Sequence, residues 1–396
     1  MLEVSRRLKE MLAGCAVLAL AAGCGAAADP SRAAQSDAVA STQEALRQNS
    51  APRLTPQISG TTAGLIAISA VNARVAWASG RFGTYALTTD GGKTWQPGVV
   101  PGAETLQFRD VEAVSEKVAY LLSLPSDTIA PRIYKTVDGG KIWKIEFQAP
   151  DLSYFYDCFA FWDPWSGITL GDSINGRFPV IRTFDGKTWH DIGDRLPPAL
   201  PGEAGFASSG TCAATQGHRR AWLTTGGTGT TRVFYTKDRG QTWGVTTAPI
   251  TAGVDQAGGG FSIAFRDAQH GILGGGDLAA TGVVANIARS SDGGRTWVAG
   301  APAPIPGAIY GLAYAGHGRA EGWGAWGRDD DDDDHGHGSG SVRVVATAPT
   351  GTAWSPDEGR SWTALPGLAG LWAVDFGSEK TGWLVGTNGQ IVRIDF

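Results

Sequence analysis

Arginine recurs at regular intervals: Arg81 within Gly80-Arg81-Phe82-Gly83, Arg132, Arg177 within Asn175-Gly176-Arg177-Phe178, Arg232, and then Arg328 or Arg343. A guanidinium is always charged and presents a planar fork of N–H donors. Several converging on one place would bind carboxylates, phosphates or an acidic segment through paired hydrogen bonds. Each could instead pair with an acid of its own neighbourhood, such as Asp172 or Asp277, since surface ion pairs are common and weak. Arg109-Asp110 and Arg266-Asp267 add further charged pairs. A second cluster is acidic and runs from Arg328 through Asp329–Asp334 to His335 and His337. Asp331, Asp333, His335 and His337 would be its ligands for Ca²⁺ or a transition metal. The run could also fold over the arginines as an acidic lid. Like charges followed by Gly and Ser read most simply as a solvated insertion, with no metal site. Cys158 and Cys212 either form a disulfide in an oxidising compartment or remain small buried thiols. Zinc-ligand spacing, a Gly-x-Ser-x-Gly elbow and a nucleotide-binding loop are all missing from the sequence, so no cofactor is expected.

The scaffold that must position these residues is written in a repeated phrase. Thr88-Thr89-Asp90-Gly91-Gly92-Lys93-Thr94-Trp95 returns around Asp138, Asp238 and Asp292, more loosely around Asp357, and one residue short around Asp185. The aspartates lie 48, 47, 53, 54 and 65 positions apart. A period of this size marks a repeat architecture. Within the phrase a hydroxyl residue ends one strand, Asp and Gly make a tight hairpin turn, and Trp opens the next strand with a large apolar body.

The phrase resembles the Asp-box, or BNR, repeat of β-propellers such as sialidases. On that likeness Asp90, Asp138, Asp185, Asp238, Asp292 and Asp357 are structural staples on the face opposite the ligand-binding loops. An apolar strand with a central alanine recurs seven times, at Ala67, Ala113, Ala160, Ala214, Ala264, Ala313 and Ala373. It reads as the innermost strand, where a small side chain lets blades converge. A second strand follows each, with Gly322–Gly327 expected in the sixth blade, and a third leads into the box. The expectation is an all-β, seven-bladed propeller of four-stranded antiparallel blades over residues 53–396. The seventh blade lacks a box and a fourth strand, and Arg53 to Ser59 should supply that strand, closing the ring and removing an open edge. On this reading the acidic run occupies the loop between the second and third strands of blade six. Arg81, Arg132, Arg177 and Arg232 lie on the equivalent loops of blades one to four, as a ligand-binding ring.

Sialidases also use an arginine cluster, a Tyr–Glu nucleophile pair and an acidic Asp. Tyr154, Tyr156, Asp157 and Glu203 are the residues available for those roles, and a sialidase-like glycoside hydrolase is the alternative function. Gly176-Arg177-Phe178-Pro179 is not the Phe-Arg-Ile-Pro motif of that family, and no catalytic set is otherwise assembled. The arrangement as a whole is similar to bacterial relatives of the plant photosystem II stability and assembly factor. Blade three, from Asp157 to Asp163 and Gly176 to Phe178, and blade four, from Gly202 to Phe206 and Gly210 to Cys212, look typical of them. The resemblance implies a non-catalytic propeller that helps proteins assemble and uses its arginine-bearing face, with an envelope protein or acidic ligand as partner.

The chain's beginning resembles a lipoprotein signal. Arg6, Arg7 and Lys9 precede an apolar stretch from Met11 to Ala22, too short for an ordinary membrane span. Ala21-Ala22-Gly23-Cys24 resembles a lipobox and places cleavage before Cys24. Leu12-Ala13-Gly14-Cys15 fits the motif better but has no apolar stretch before it. Residues 1–23 are thus expected to be removed and 24–52 to tether the propeller to a membrane by lipid. Gly25 after the cysteine suggests the periplasmic side of the outer membrane where two membranes exist. The net charge of −5 becomes −6 without the signal, and outside the acidic run charges nearly balance, so no nucleic-acid partner is expected.

Overall fold

The computed structural model describes residues 50–253, 257–316 and 342–396, and these form a ring of seven four-stranded antiparallel sheets. The signal, Cys24, most of the tether, Gly322–Gly327 and the acidic run with its Asp and His candidates lie outside the described residues. Residues Gln48–Phe396 make one compact unit with a core of its own.

Each blade runs outward from the axis. Blade one comprises Leu65–Ala70, Ala76–Gly80, Thr84–Thr88 and Gln96–Val99, and blade two Phe108–Ala113, Ala119–Ser123, Arg132–Thr136 and Lys144–Gln148. Blade three follows with Tyr156–Phe161, Gly167–Gly171, Ile181–Thr183 and Trp189–Asp191, and blade four with Ala213–Gln216, Arg220–Thr225, Thr231–Thr236 and Gly244–Ala248. Blade five is Gly258–Phe265, Gly271–Asp277, Ile287–Ser290 and Val298–Ala299, and blade six Gly311–Tyr314, Val344–Ala348, Gly351–Ser355 and Thr363–Ala364. Blade seven has Leu371–Phe376, Thr381–Gly386 and Ile391–Asp395, and its outermost strand is Arg53–Gln57 from the other end of the chain. That strand pairs antiparallel from Arg53↔Asp395 to Gln57↔Ile391. Gln57 Oε1 accepts from both Trp95 Nε1 at 2.9 Å and Trp383 Nε1 at 3.2 Å, tying blade seven to blade one.

Two sequence expectations are corrected. The second strand of blade six is Val344–Ala348, not Gly322–Gly327. In the sequence the acidic run therefore falls between the first and second strands of its blade rather than between the second and third. The inner-strand alanines also do not share a register. Ala67 pairs with Ser79 at the fourth position of the second strand of its blade, whereas Ala113 pairs with Ala119 at the first. What repeats structurally is a small residue followed by a large one at the start of the second strand, as in Ala76-Trp77, Ala119-Tyr120, Ala221-Trp222 and Gly382-Trp383. These aromatics are fully buried, and three reach the next blade: Trp77 Nε1 donates to Ser115 O, Tyr120 Oη to Pro164 O and Trp222 Nε1 to Gly293 O.

The Asp-boxes staple the turns between third and fourth strands. In the first, Gly92 N–H donates to Thr88 Oγ1 at 2.8 Å, Thr94 N–H to Asp90 Oδ1 at 3.0 Å and Thr94 Oγ1 to Asp90 Oδ2 at 2.7 Å. The Thr94 N–H and hydroxyl hold the Asp90 carboxyl down at about 2. Two boxes place a larger residue where Gly91 stands, Arg239 at φ 57° and Glu358 at φ 61°. A side chain there costs about 1 kcal/mol or more. In both boxes it reaches the preceding blade. The Arg239 guanidinium lies 3.4 Å from Asp163 of blade three, while its Nε donates within its own blade to His218 O. Glu358 accepts from Arg266 Nε of blade five at 2.7 Å and, within its own blade, from Tyr314 Oη at 3.0 Å.

The closing strand gives a direct test. A chain beginning at Gln48 should unfold in one urea transition, whereas one beginning at Thr61 exposes the edge of Ile391–Asp395 and frees two buried tryptophan N–H groups. The shorter chain should lose about 3 kcal/mol or more and aggregate. Equal midpoints would show that the ring does not depend on that strand.

Candidate functional site

The inner strands carry a recurring irregularity at the end that faces the second-to-third loops. Pairing skips one residue at Ile66, Arg109, Asp157, Phe261 and Trp372, so each is a β-bulge. In blade six Tyr310 N–H shares Thr347 O with the Gly311↔Thr347 pair and occupies the same place. Blade four makes a much larger departure. Ala204 bridges Gly226 and Cys212 O accepts from Thr224 N–H, so residues 205–211 leave the ladder altogether. A bulge turns its side chain out of the sheet, and around the axis these side chains meet.

Arg109 reaches across this end of the axis. Its Nη1 donates to Ala207 O at 3.1 Å and its Nη2 to Gln107 Oε1 at 3.3 Å, and its guanidinium carbon lies 5.6 Å from the Trp372 ring centre. Ser209 Oγ donates to Tyr310 O at 2.6 Å, so the 205–211 excursion spans from blade four to blade six. An aromatic arc follows the same circle. Phe206 stacks on Phe261 at 3.9 Å, Phe261 on Tyr310 at 5.9 Å, and Tyr310 meets Trp372 edge-on at 5.3 Å. Phe206, Tyr310 and Trp372 are half-buried and keep part of their surface in solvent. Behind this platform the axis holds a cavity of about 280 Å³, lined by Asp110, Thr211, Asp375 and, toward the Asp-box side, Trp162, His218 and Tyr314.

Arg81 extends the platform. The Arg81 side chain lies along Gly64, with Cδ 3.5 Å from where a Cβ would stand. Burial and then the nearby Arg81 charge hold the Arg109 pKa down, while Asp157 and Tyr310 oppose that shift. Phe82, next to Arg81, is 63% exposed and held at φ 60°. A bulky residue in the left-handed region is strained, and such strain clusters at functional sites.

Asp157 and Asp172 complete the charge balance. Asp157 is buried, its Oδ2 has no hydrogen-bond partner, and its carboxyl shares a hydrogen bond with Asp172. Burial, then the Asp172 charge, pushes Asp157 well above the usual carboxylate range, and burial raises Asp172 to about 6. Two carboxyls this close hold one proton between them at neutral pH. The pair therefore supplies one negative charge against the two positive charges of Arg81 and Arg109.

The other sequence candidates have different neighbours. Arg177 is bound by Asp191 at 2.6 Å and by Asp194. Arg232 forms a buried ion pair with Glu203 at 2.6 Å. Arg132 donates to Gln148 Oε1 at 2.8 Å and Tyr134 Oη at 3.3 Å. Of the four arginines expected to form a ring, Arg177 and Arg232 are paired locally, with Asp191, Asp194 and Glu203 rather than with Asp172 or Asp277. Glu203 also accepts from Thr225 Oγ1 at 2.5 Å and Leu200 N–H at 2.8 Å. Three of its roughly four lone-pair sites are thus taken up inside the fold. Tyr154 stacks on Tyr156 at 6.2 Å, and Tyr156 is buried in the inner strand against Phe147, where the charges of Asp191 and Arg177 act on it. Burial raises the Tyr156 pKa, the opposite of what a nucleophile needs. Cys158 and Cys212 form a disulfide between blades three and four, with Cα atoms 5.8 Å apart. Among the described residues no group of three His, Cys, Asp or Glu side chains could hold a metal ion.

Sequence reading named Arg109 only as a flanking residue and missed Phe206, Tyr310 and Trp372. Their signal is a bulge position, which is visible only once strands are paired.

Comparison with known proteins matches this architecture. The family model of the BNR/Asp-box repeat matches residues 86–97, the first box. No curated protein matches the chain. Among solved structures, YCF48 from Cyanidioschyzon merolae superposes with a TM-score of 0.58 at 15% identity, over 87% of this chain and 99% of that one. The GH74 xyloglucanase from Xanthomonas campestris superposes with a TM-score of 0.55 at 14% identity, over 86% of this chain and 53% of that one. At such identities the likeness is one of fold.

The acid pair makes stability depend on pH. A carboxyl whose pKa rises on folding stabilises at low pH, and that contribution is lost as pH climbs through the folded value, here about 6 for Asp172. Asp157→Asn removes the shared proton and keeps the side-chain shape. Its melting temperature should exceed that of the parent by a few degrees at pH 7.5 and show a flatter slope between pH 4 and 6.5. Parallel melting curves for the two proteins would argue that the pair carries no such strain.

Proposed function

We propose that this chain is a non-catalytic binding propeller of the cell envelope, which holds an anionic segment of a protein partner on its arginine–aromatic platform. The observation that carries this reading is the company kept by Arg81 and Arg109. Arg109 donates to a carbonyl and an amide oxygen, and the nearby acid pair shares a proton, so both cations remain available to a ligand carboxylate. Half-buried Tyr310, Trp372 and Phe206 beside them offer a wide apolar surface, the mixture of Arg and aromatics that dominates protein recognition. Exposed Phe82 widens that surface.

The role follows that of an assembly factor, which holds its partner without altering it covalently. Lipidation at Cys24 would keep the propeller at a membrane, on the periplasmic side of the outer membrane in a two-membrane cell. A buried disulfide suits that oxidising compartment. Recognition by two guanidinium groups should be fast and sensitive to ionic strength.

A photo-crosslinking residue in place of Phe82 should trap the partner in intact cells. Arg81→Glu, and Arg81→Glu with Arg109→Glu, should lower the trapped yield about tenfold or more, since charge reversal at a recognition centre costs several kcal/mol. Arg177→Ala should leave the yield unchanged, because that guanidinium is held by Asp191 and Asp194. Equal yields from the parent and the charge-reversed proteins would remove the platform from the binding reaction.

A further inference from the structure

The Asp-box face of blades two and three departs from the repeat. In five of the six boxes the residue before the tryptophan is Thr or Ser, and its hydroxyl donates to the box aspartate: Thr94 to Asp90, Thr188 to Asp185, Thr242 to Asp238, Thr296 to Asp292 and Ser361 to Asp357. Blade two has Ile142 there. It forgoes that bond and stands 62% exposed. On the same turn Val137 is 61% exposed, and in the next blade Phe184 and Trp165 are 47% and 46% exposed. Giving up a stabilising bond to expose an apolar side chain violates local consistency, and such violations concentrate at functional surfaces.

These tips share one face and are interleaved with cations. Lys135 Nζ lies 4.8 Å from the Tyr120 ring centre and 5.0 Å from that of Trp165, and the Arg182 guanidinium lies 4.3 Å from Phe184. Lys141 and Lys187 are exposed on the same turns, and Lys117 on the neighbouring first-to-second-strand turn of blade two. Residues 117–187 hold five of the eight lysines that follow residue 50. The facing carboxylates are Glu116, Asp138, Glu146, Asp163 and Asp185. Asp138 and Asp185 are turned onto N–H groups of their own turns, Ile142 N–H at 2.9 Å and Thr188 N–H at 2.7 Å, Asp163 lies 3.4 Å from Arg239, and the Glu146 charge acts on Lys135.

We infer that this face docks on an anionic lipid bilayer. Apolar tips with a tryptophan and neighbouring lysines match the interfacial layer of a membrane, where aromatic rings sit among headgroups and ammonium groups meet lipid phosphates. Lysine is depleted at the centres of protein interfaces, which disfavours a protein partner. A second copy of the chain would bring these lysines face to face across a two-fold axis. Docking by this face points the arginine–aromatic platform away from the bilayer. The inference stands on a different surface from the proposed function and does not rest on lipidation.

The chain from Gln48 to Phe396, which holds the whole described core, isolates this contact. Flotated with phosphatidylglycerol–phosphatidylethanolamine vesicles, it should bind at low salt, release at high salt, and ignore neutral phosphatidylcholine vesicles. Trp165→Ser combined with Ile142→Thr should weaken partitioning about tenfold or more. Ile142→Thr restores the sequence of the other boxes, so the variant's melting temperature should hold. Arg81→Glu with Arg109→Glu should not change vesicle binding, which keeps failure here separate from failure of the platform. The inference is overturned by equal partitioning of parent and Trp165/Ile142 variant. It is overturned equally by no binding to anionic vesicles, or by a concentration-dependent dimer that the same substitutions abolish.

Discussion

Everything in this molecule depends on stitching seven sheets around an axis where no sheet ladder runs from one blade to the next. The stitches are hydrogen bonds between neighbouring inner regions, one junction at a time. Asp375 accepts from Ala70 N–H, Ser69 from Ala113 N–H and Asp110 from Phe159 N–H. Thr215 donates to Phe161 O, Ile263 N–H to Thr211 O, Ser262 to Leu312 O and Thr347 to Trp372 O. The circle is complete. Each bond satisfies a backbone group that the convergence of blades would otherwise bury unpaired, at a cost of about 1–3 kcal/mol apiece. Carboxylates and hydroxyls therefore occupy positions in the inner strands that a purely apolar core would fill with aliphatic residues.

The same constraint creates the candidate site. Inner strands must be regular where they are stitched, so irregularity is displaced to their ends. There the bulges at Arg109, Asp157, Phe261 and Trp372 turn side chains toward the axis. Blade four carries this furthest: residues 205–211 abandon the ladder and cross to Tyr310. The excursion is held at its base by the disulfide and by the buried Glu203–Arg232 pair. Those two features look functional when read as residue types, and they act as the foundation of a platform built from other residues.

That distinction marks the limit of what the sequence discloses. Blade number, box turns and the closing strand are legible because they depend on local turn chemistry repeated at a fixed period. The inner-strand register is not, since Ala67 and Ala113 look alike in sequence and pair at different levels. Nor can the sequence say which arginines are spent on neighbours. Arg81 and Arg177 share the motif Gly-Arg-Phe. Yet Arg177 finds Asp191 and Asp194 in its own blade, while Arg81 lies over Gly64 near another arginine. Partner choice is tertiary, set by what the fourth strand and its following turn happen to carry.

A repeat protein nevertheless offers one signal that single domains lack, because its own copies act as controls. Where six turns do the same mechanical work, a copy that does it less well invites another explanation. Arg239 and Glu358 break the glycine rule of the box and recover the cost through bonds to Asp163 and Arg266 of the preceding blades, so they are structural. Ile142 breaks the hydroxyl rule and gains no burial, and Phe82 accepts a left-handed backbone while remaining exposed. Departures compensated inside the fold belong to the fold. Those with no internal compensation look outward, and here they lie on opposite faces, which suits a propeller that rests on one surface while presenting the other.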